Sequence, residues 1–148
     1  MNPTRRRFAL AALVLAFWAS AAVAADEAAL RGFAEAVGLK DVDGFIAAVE
    51  SLDRGGKLPD RFVTKSEAAK RGWRPGADLC AAAPEKSIGG DRYVNADRKL
   101  PPKQGRIYRE ADLDFTCGER GARRLVFSND GLRFVTTDHY RSFQPVPP

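Results

Sequence analysis

The chain has 148 residues, with 24 Lys and Arg against 19 Asp and Glu, two cysteines, one histidine and 45% hydrophobic residues. That is the size and balance of one globular domain. The counts exclude a coiled coil, a collagen-like chain and a disulfide-dense miniprotein.

The amino terminus is read first because it alters the charge. Arg5, Arg6 and Arg7 precede an apolar run from Phe8 to Val23, which closes on Ala22-Val23-Ala24. A basic start, a short apolar core and a small-residue end define an export signal, predicted to be cleaved after Ala24. Thr4-Arg5-Arg6-Arg7-Phe8 also resembles a twin-arginine signal, and the same arginines serve the general export route equally well. The run is shorter than the ~20 apolar residues of a membrane span and no second one follows, so the mature product is expected to be soluble, secreted or periplasmic. Loss of three arginines takes the net charge from +5 to +2. So mild a sum does not by itself argue for nucleic-acid binding, which depends on where cations converge.

Ala29, Leu30, Phe33, Ala36 and Val37 fall on helical spacing within Ala25–Leu39, and Phe45, Ile46, Val49 and Leu52 repeat it after Asp43 as the predicted N-cap. Gly55-Gly56 ends this second helix and Lys57-Leu58-Pro59-Asp60 forms a turn. Thr64 and Glu67 then have capping-box spacing, with Gly72 closing a third helix. Lys65 thereby stands at a helix start, where free amides and the helix dipole favour an anion; its plainer reading is a solvated surface lysine. After Pro84, short β-branched and aromatic runs are divided by Gly, Pro, Asn and Asp. They predict strands at Ser87–Tyr93, Arg106–Asp112, Arg123–Ser128, Leu132–Thr136 and near Ser142–Gln144, with a hairpin turn at Asn129-Asp130-Gly131. Helices followed by antiparallel strands make an α+β domain, N-terminal helices packed on a C-terminal antiparallel sheet.

Export also bears on Cys80 and Cys117. In an oxidising compartment they are expected to pair, since a zinc site needs four ligands and His139 is the only imidazole. The bond would contribute roughly 4 kcal/mol by constraining the unfolded chain; the alternative is two buried free thiols. Period-two alternation places Arg106, Tyr108 and Glu110 on one sheet face, with Arg124, Val126 and Ser128 on the next strand. A carboxylate and arginines beside a loop holding His139 supply an acid/base pair and phosphate clamps. Taken singly, Glu110 reads equally as a surface strand residue and His139 as an ordinary loop histidine.

Several of these residues stand in longer strings. Lys57-Leu58-Pro59-Asp60 with Thr64-Lys65-Ser66-Glu67-Ala68, Gly72-Trp73, Lys86-Ser87-Ile88-Gly89-Gly90-Asp91, Arg109-Glu110-Ala111-Asp112 and Thr136-Thr137-Asp138-His139-Tyr140 resemble the barnase and binase family of microbial ribonucleases, in its order and nearly its spacing. The resemblance covers about Val42 to Phe143. It divides the chain into an export signal at 1–24, an added helical segment at 25–41 and a ribonuclease domain at 42–148.

The resemblance implies a monomeric endoribonuclease that needs no metal or cofactor and cuts single-stranded RNA, preferably after guanosine. The first stage is transesterification to a 2′,3′-cyclic phosphate, the second its hydrolysis. Glu110 would take the 2′-OH proton and His139 would protonate the leaving 5′-oxygen. Lys65, Arg120 and Arg124 would stabilise charge on the phosphate oxygens. The base would be read by amides near Asn95 and Ala96 and by the Asp97 carboxylate, with Tyr93 or Tyr140 stacking on it. This chain departs from the family in having Ala96 where Arg is usual, Asp97 where Glu is usual, and Glu119 in place of an aromatic. A small acidic inhibitor of the barstar type is the partner the resemblance implies, matched differently here because Ala96 removes an arginine. The alternatives are a noncatalytic module of the same fold that binds RNA or an inhibitor, and a toxin delivered to competing cells. A module freed from catalysis would have no chemical reason to keep both proton carriers and three cations together.

Overall fold

The structure is a computed structural model that describes residues 27–148; the predicted export signal lies outside them. Residues 27–36 form α1, followed by α2 (Val42–Gly55) and α3 (Lys65–Lys70). Six strands follow or intervene: β1 (Phe62–Val63), β2 (Ser87–Tyr93), β3 (Tyr108–Asp112), β4 (Arg124–Ser128), β5 (Arg133–Thr136) and β6 (Gln144–Pro145). They make one sheet in chain order, β1 parallel to β2 and all other pairs antiparallel. The α+β expectation therefore holds. No helix among the described residues is long and apolar enough to cross a membrane.

Alternation along the strands gives the sheet two faces. On one, Ala111, Leu125, Phe127 and Val135 meet Leu30 and Ala34 of α1 and Phe45, Ile46, Ala48, Val49 and Leu52 of α2. Phe45 is fully buried and its ring lies 5.9 Å from that of Phe33, so α1 is built into the core. A second cluster packs α3 and the following loop onto β1 and β2 through Val63, Ala68, Trp73, Leu79, Ala83 and Ile88. Across that loop runs the Cys80–Cys117 disulfide, as expected. The other sheet face is half covered, by Leu100, Tyr93 and Phe143 against Tyr108, Val126 and Phe134. Its remaining half carries the charged residues Glu110, Asp112 and Arg124.

Local boundaries differ from the sequence reading in instructive ways. The N-cap of α2 is Asp41 instead of Asp43: the Asp41 carboxylate accepts from Gly44 N at 2.9 Å, and Asp43 lies in the first turn. Asp114 selects this start by accepting from the backbone amides of both Lys40 and Asp41. The capping box at Thr64 and Glu67 forms as predicted, and Gly72 closes the helix as expected: after Lys70 and the Arg71 cap it takes φ 95°, with Gly72 N donating to Ala69 O and Trp73 N to Ala68 O. Strand β3 begins at Tyr108, two residues later than predicted: before it the backbone turns, with Arg106 N donating to Lys103 O and Ile107 N to Asn129 Oδ1. The Arg106 guanidinium is bound by Asp130 and by Pro101 O, which the Tyr108 hydroxyl shares. Gly90, with φ 99°, sits at a break in register that sets Asp91 opposite Glu110.

Candidate active site

The charged half of this sheet face is built on β3 and β4, where Glu110 pairs with Val126 and Asp112 with Arg124. Glu110 is 6% exposed, and each of its carboxylate oxygens has a partner. Lys65 Nζ donates to Oε1 at 3.2 Å and the Tyr140 hydroxyl donates to Oε2 at 2.5 Å. Lys65 is held there by its position at the start of α3, where its own backbone N–H donates to Asp91 Oδ2 at 2.9 Å. The helix start expected to invite an external anion thus already has one, supplied by β2.

Two residues further along β3, Asp112 is 1% exposed and organises two arginines. Arg120 Nε and Nη2 donate to its two oxygens, each at 2.7 Å, the forked geometry in which guanidinium and carboxylate match. Arg124 Nε lies 3.0 Å from Asp112 Oδ1, a charge contact whose N–H is not aligned for a hydrogen bond. Its Nη1 is held by the carbonyls of Gly121 and Arg123. Among the described residues these contacts leave Arg120 Nη1 and Arg124 Nη2 unused. The bond to Asp112 raises the Arg120 pKa above its ordinary value, so that side chain remains a cation throughout the working range.

His139 and Tyr140 follow β5 in a turn where both have positive φ, 57° and 68°, uncommon for side chains of this size. The turn is pinned by His139 N to Ala122 O, by Tyr140 N to Thr136 Oγ1, and by Asp138, whose carboxylate accepts from the amides of Arg141 and Ser142 and from the Ser142 hydroxyl. His139 is exposed, its ring 4.9 Å from that of Tyr140. The Arg124 guanidinium carbon lies 6.0 Å from the Tyr140 ring centre. Burial, reinforced by the bond to Glu110, pushes the Tyr140 phenol up to about 12. It therefore donates to the carboxylate at any ordinary pH.

The predicted base-reading loop leaves β2 beside this turn. Asn95 braces it: its amide donates to Leu100 O and accepts from Leu100 N, while Ala96 and Asp97 are exposed. Tyr93 and Tyr140, both expected as platforms for a base, stack on each other at 5.3 Å and 22°. Burial against Leu100 and Phe143 leaves Tyr93 less free than a solvent-facing platform would be. Glu119 is exposed and, with Arg120, lines a cleft of about 290 Å³ floored by Trp73.

The structure thus brings Glu110, Lys65 and Tyr140 into direct contact, with Arg120 and Arg124 gathered on Asp112 two residues along β3 and His139 next to Tyr140. Two contributors had no role assigned from sequence. Asp112 lay inside a quoted string, and its function depends on arginines from a loop and a neighbouring strand. Asp91 acts through a backbone amide, which no side-chain pattern signals.

Fixed guanidinium groups beside a partnered carboxylate and a histidine are the kind of arrangement that chemistry at a phosphate group requires. Comparison with known proteins agrees in kind. The family profile described as ribonuclease matches residues 47–147. A ribonuclease of Heyndrickxia coagulans is 44% identical over 106 residues, covering 71% of this chain and 97% of that protein. Ribonucleases of Bacillus intermedius and Bacillus pumilus are likewise 44% identical over 106 residues, which span 65% of each, just under two thirds of their length. The chain belongs to the ribonuclease family.

Proposed function

We propose that the protein is an exported, metal-independent endoribonuclease that cuts single-stranded RNA, preferably after guanosine. In this reading residues 1–24 are the export signal, 25–41 an added segment and 42–148 the ribonuclease domain. The observation that carries the proposal is the Glu110 carboxylate, sunk in the sheet face with its two oxygens partnered by Lys65 and Tyr140.

Glu110 accepts the 2′-OH proton as that oxygen attacks phosphorus and the P–O5′ bond breaks, while His139 gives its proton to the departing 5′-oxygen. The product is a 2′,3′-cyclic phosphate. In hydrolysis the roles reverse: His139 takes a proton from water and Glu110 returns one to the 2′-oxygen, so each group ends as it began. Lys65, Arg120 and Arg124 face charge that grows on the phosphate oxygens in the transition state, and cations fixed in advance stabilise it without reorganising. DNA has no 2′-OH and is not a substrate for this route.

Base choice is assigned to loop 95–100, with the Asn95 and Ala96 amides meeting the guanine O6 and Asp97 accepting from N1–H and N2–H. An acidic inhibitor of the barstar type would cover the same cationic face. The test is cleavage of a fluorescent oligoribonucleotide containing one guanosine, with chelator present. Wild type should cut after the guanosine, and Glu110→Ala and His139→Ala should each lose at least ~100-fold in kcat, the usual size of a general acid or base contribution. A wild-type protein that binds this RNA without cutting it would overturn the proposal.

A further inference from the structure

Lys99 belongs to neither the acid/base pair nor the phosphate clamp, and it lies between the two loops that the proposed reaction needs. Its ammonium donates to the backbone carbonyl of Tyr140 at 3.0 Å, across 41 residues of sequence, and sits 3.9 Å from Asp97 Oδ2. Each end of this bridge is attached to something functional. The Tyr140 carbonyl belongs to the positive-φ turn that presents His139, and the Tyr140 hydroxyl donates to Glu110. Asp97 stands in the loop that Asn95 closes onto buried Leu100, so that carboxylate is carried on a braced segment.

We propose that Lys99 is a positioning residue that couples base recognition to the catalytic turn. The proposal rests on the reading that Asp97 accepts from guanine. With Asp97 unoccupied, one ammonium is shared between a carboxylate and a carbonyl. When guanine N1–H and N2–H engage the carboxylate, its hold on Lys99 weakens and the ammonium is committed to the Tyr140 carbonyl. That contact steadies a turn whose two left-handed residues are costly to hold. A base that leaves Asp97 unoccupied leaves Lys99 divided and the turn less firmly held. Guanosine preference then appears in kcat as well as in KM.

The test measures kcat and KM for guanylyl-adenosine and adenylyl-adenosine with the wild type, Lys99→Met and Lys99→Arg. Methionine keeps an apolar stem of similar length and removes the charge; arginine restores it. Lys99→Met should lower kcat on the guanosine substrate about fivefold and on the adenosine substrate less than about twofold, with KM little changed, in keeping with a half-exposed charge contact. Lys99→Arg should recover most of that loss. An equal fall on both substrates, or a change confined to KM, would reduce Lys99 to general phosphate attraction and overturn the coupling. A wild type that does not distinguish the two substrates would instead remove the base-reading assignment, and the coupling with it. Because Lys99 is exposed, the fold should survive the change; if Lys99→Met does melt early, Lys99→Gln is read against the same criteria.

Discussion

Asp112 holds more of the site together than its place in a short acidic string suggests. A carboxylate with 1% exposure loses nearly all its hydration, a cost of several kcal/mol unless charge and hydrogen bonds replace the water. Two guanidinium groups do so here, and in return each is held in one orientation. Asp138 has a comparable role at the turn that carries His139. Hydrogen bonds from Ser142, with further support from Thr136 and Arg141, hold its carboxyl down to about 2 from an ordinary 3.8. A depressed folded-state pKa means a stabilising contribution that is complete above about 4 and lost as pH falls through about 2. Asp138→Asn should therefore melt below wild type at pH 6, with the gap closing between pH 4 and pH 2 in a melting-temperature series. A gap independent of pH would mean that the carboxylate's charge is not what holds the turn. Glu110 and His139 were legible in the sequence through the strings around them. Asp112 was not, because its role exists only once a loop and a neighbouring strand deliver their arginines.

Among the elements, α1 lies wholly outside the region that the family profile matches, which begins at residue 47. Leu30 and Ala34 lie in the main core with α2, and Phe33 packs beside Phe45. Leu30→Ala should destabilise the fold by about 2–4 kcal/mol in urea unfolding, the usual cost of truncating a buried leucine. Glu35→Ala on the exposed side of the same helix should cost less than about 0.5 kcal/mol. Equal small effects would mean that α1 rests on the surface without contributing to the core. Apolar spacing makes α1 and α2 readable, and the capping box with Gly72 makes α3 so. The α2 cap was misplaced by two residues because Asp41 and Asp43 are alike in sequence, and Asp114, seventy residues on, decides between them. Strand β1 was missed for a different reason: two residues hold no periodicity, and Phe62–Val63 is a strand only because β2 lies beside it.

At the scale of the molecule, the Cys80–Cys117 bond joins the long loop after α3 to the segment that carries Arg120. The two segments also meet through Leu79 N to Gly118 O and Cys117 N to Lys86 O. Replacing both cysteines with alanine should cost about 4 kcal/mol in urea unfolding, the entropy of the loop released in the unfolded chain. A loss below about 1 kcal/mol would show that the backbone contacts alone restrain these segments.

The sheet has one more property, which concerns time more than strength. Strand order follows chain order from β1 to β6, so each strand finds its partner in the segment made just before it. The apolar faces of α1 and α2, made early, are covered only when Ala111, Leu125, Phe127 and Val135 arrive. A polypeptide emerging amino end first can thus add strands to the sheet in the order in which they appear. Among the described residues no strand waits for a partner beyond the next strand in the chain, and a long wait with an open edge is the condition that invites pairing with another molecule.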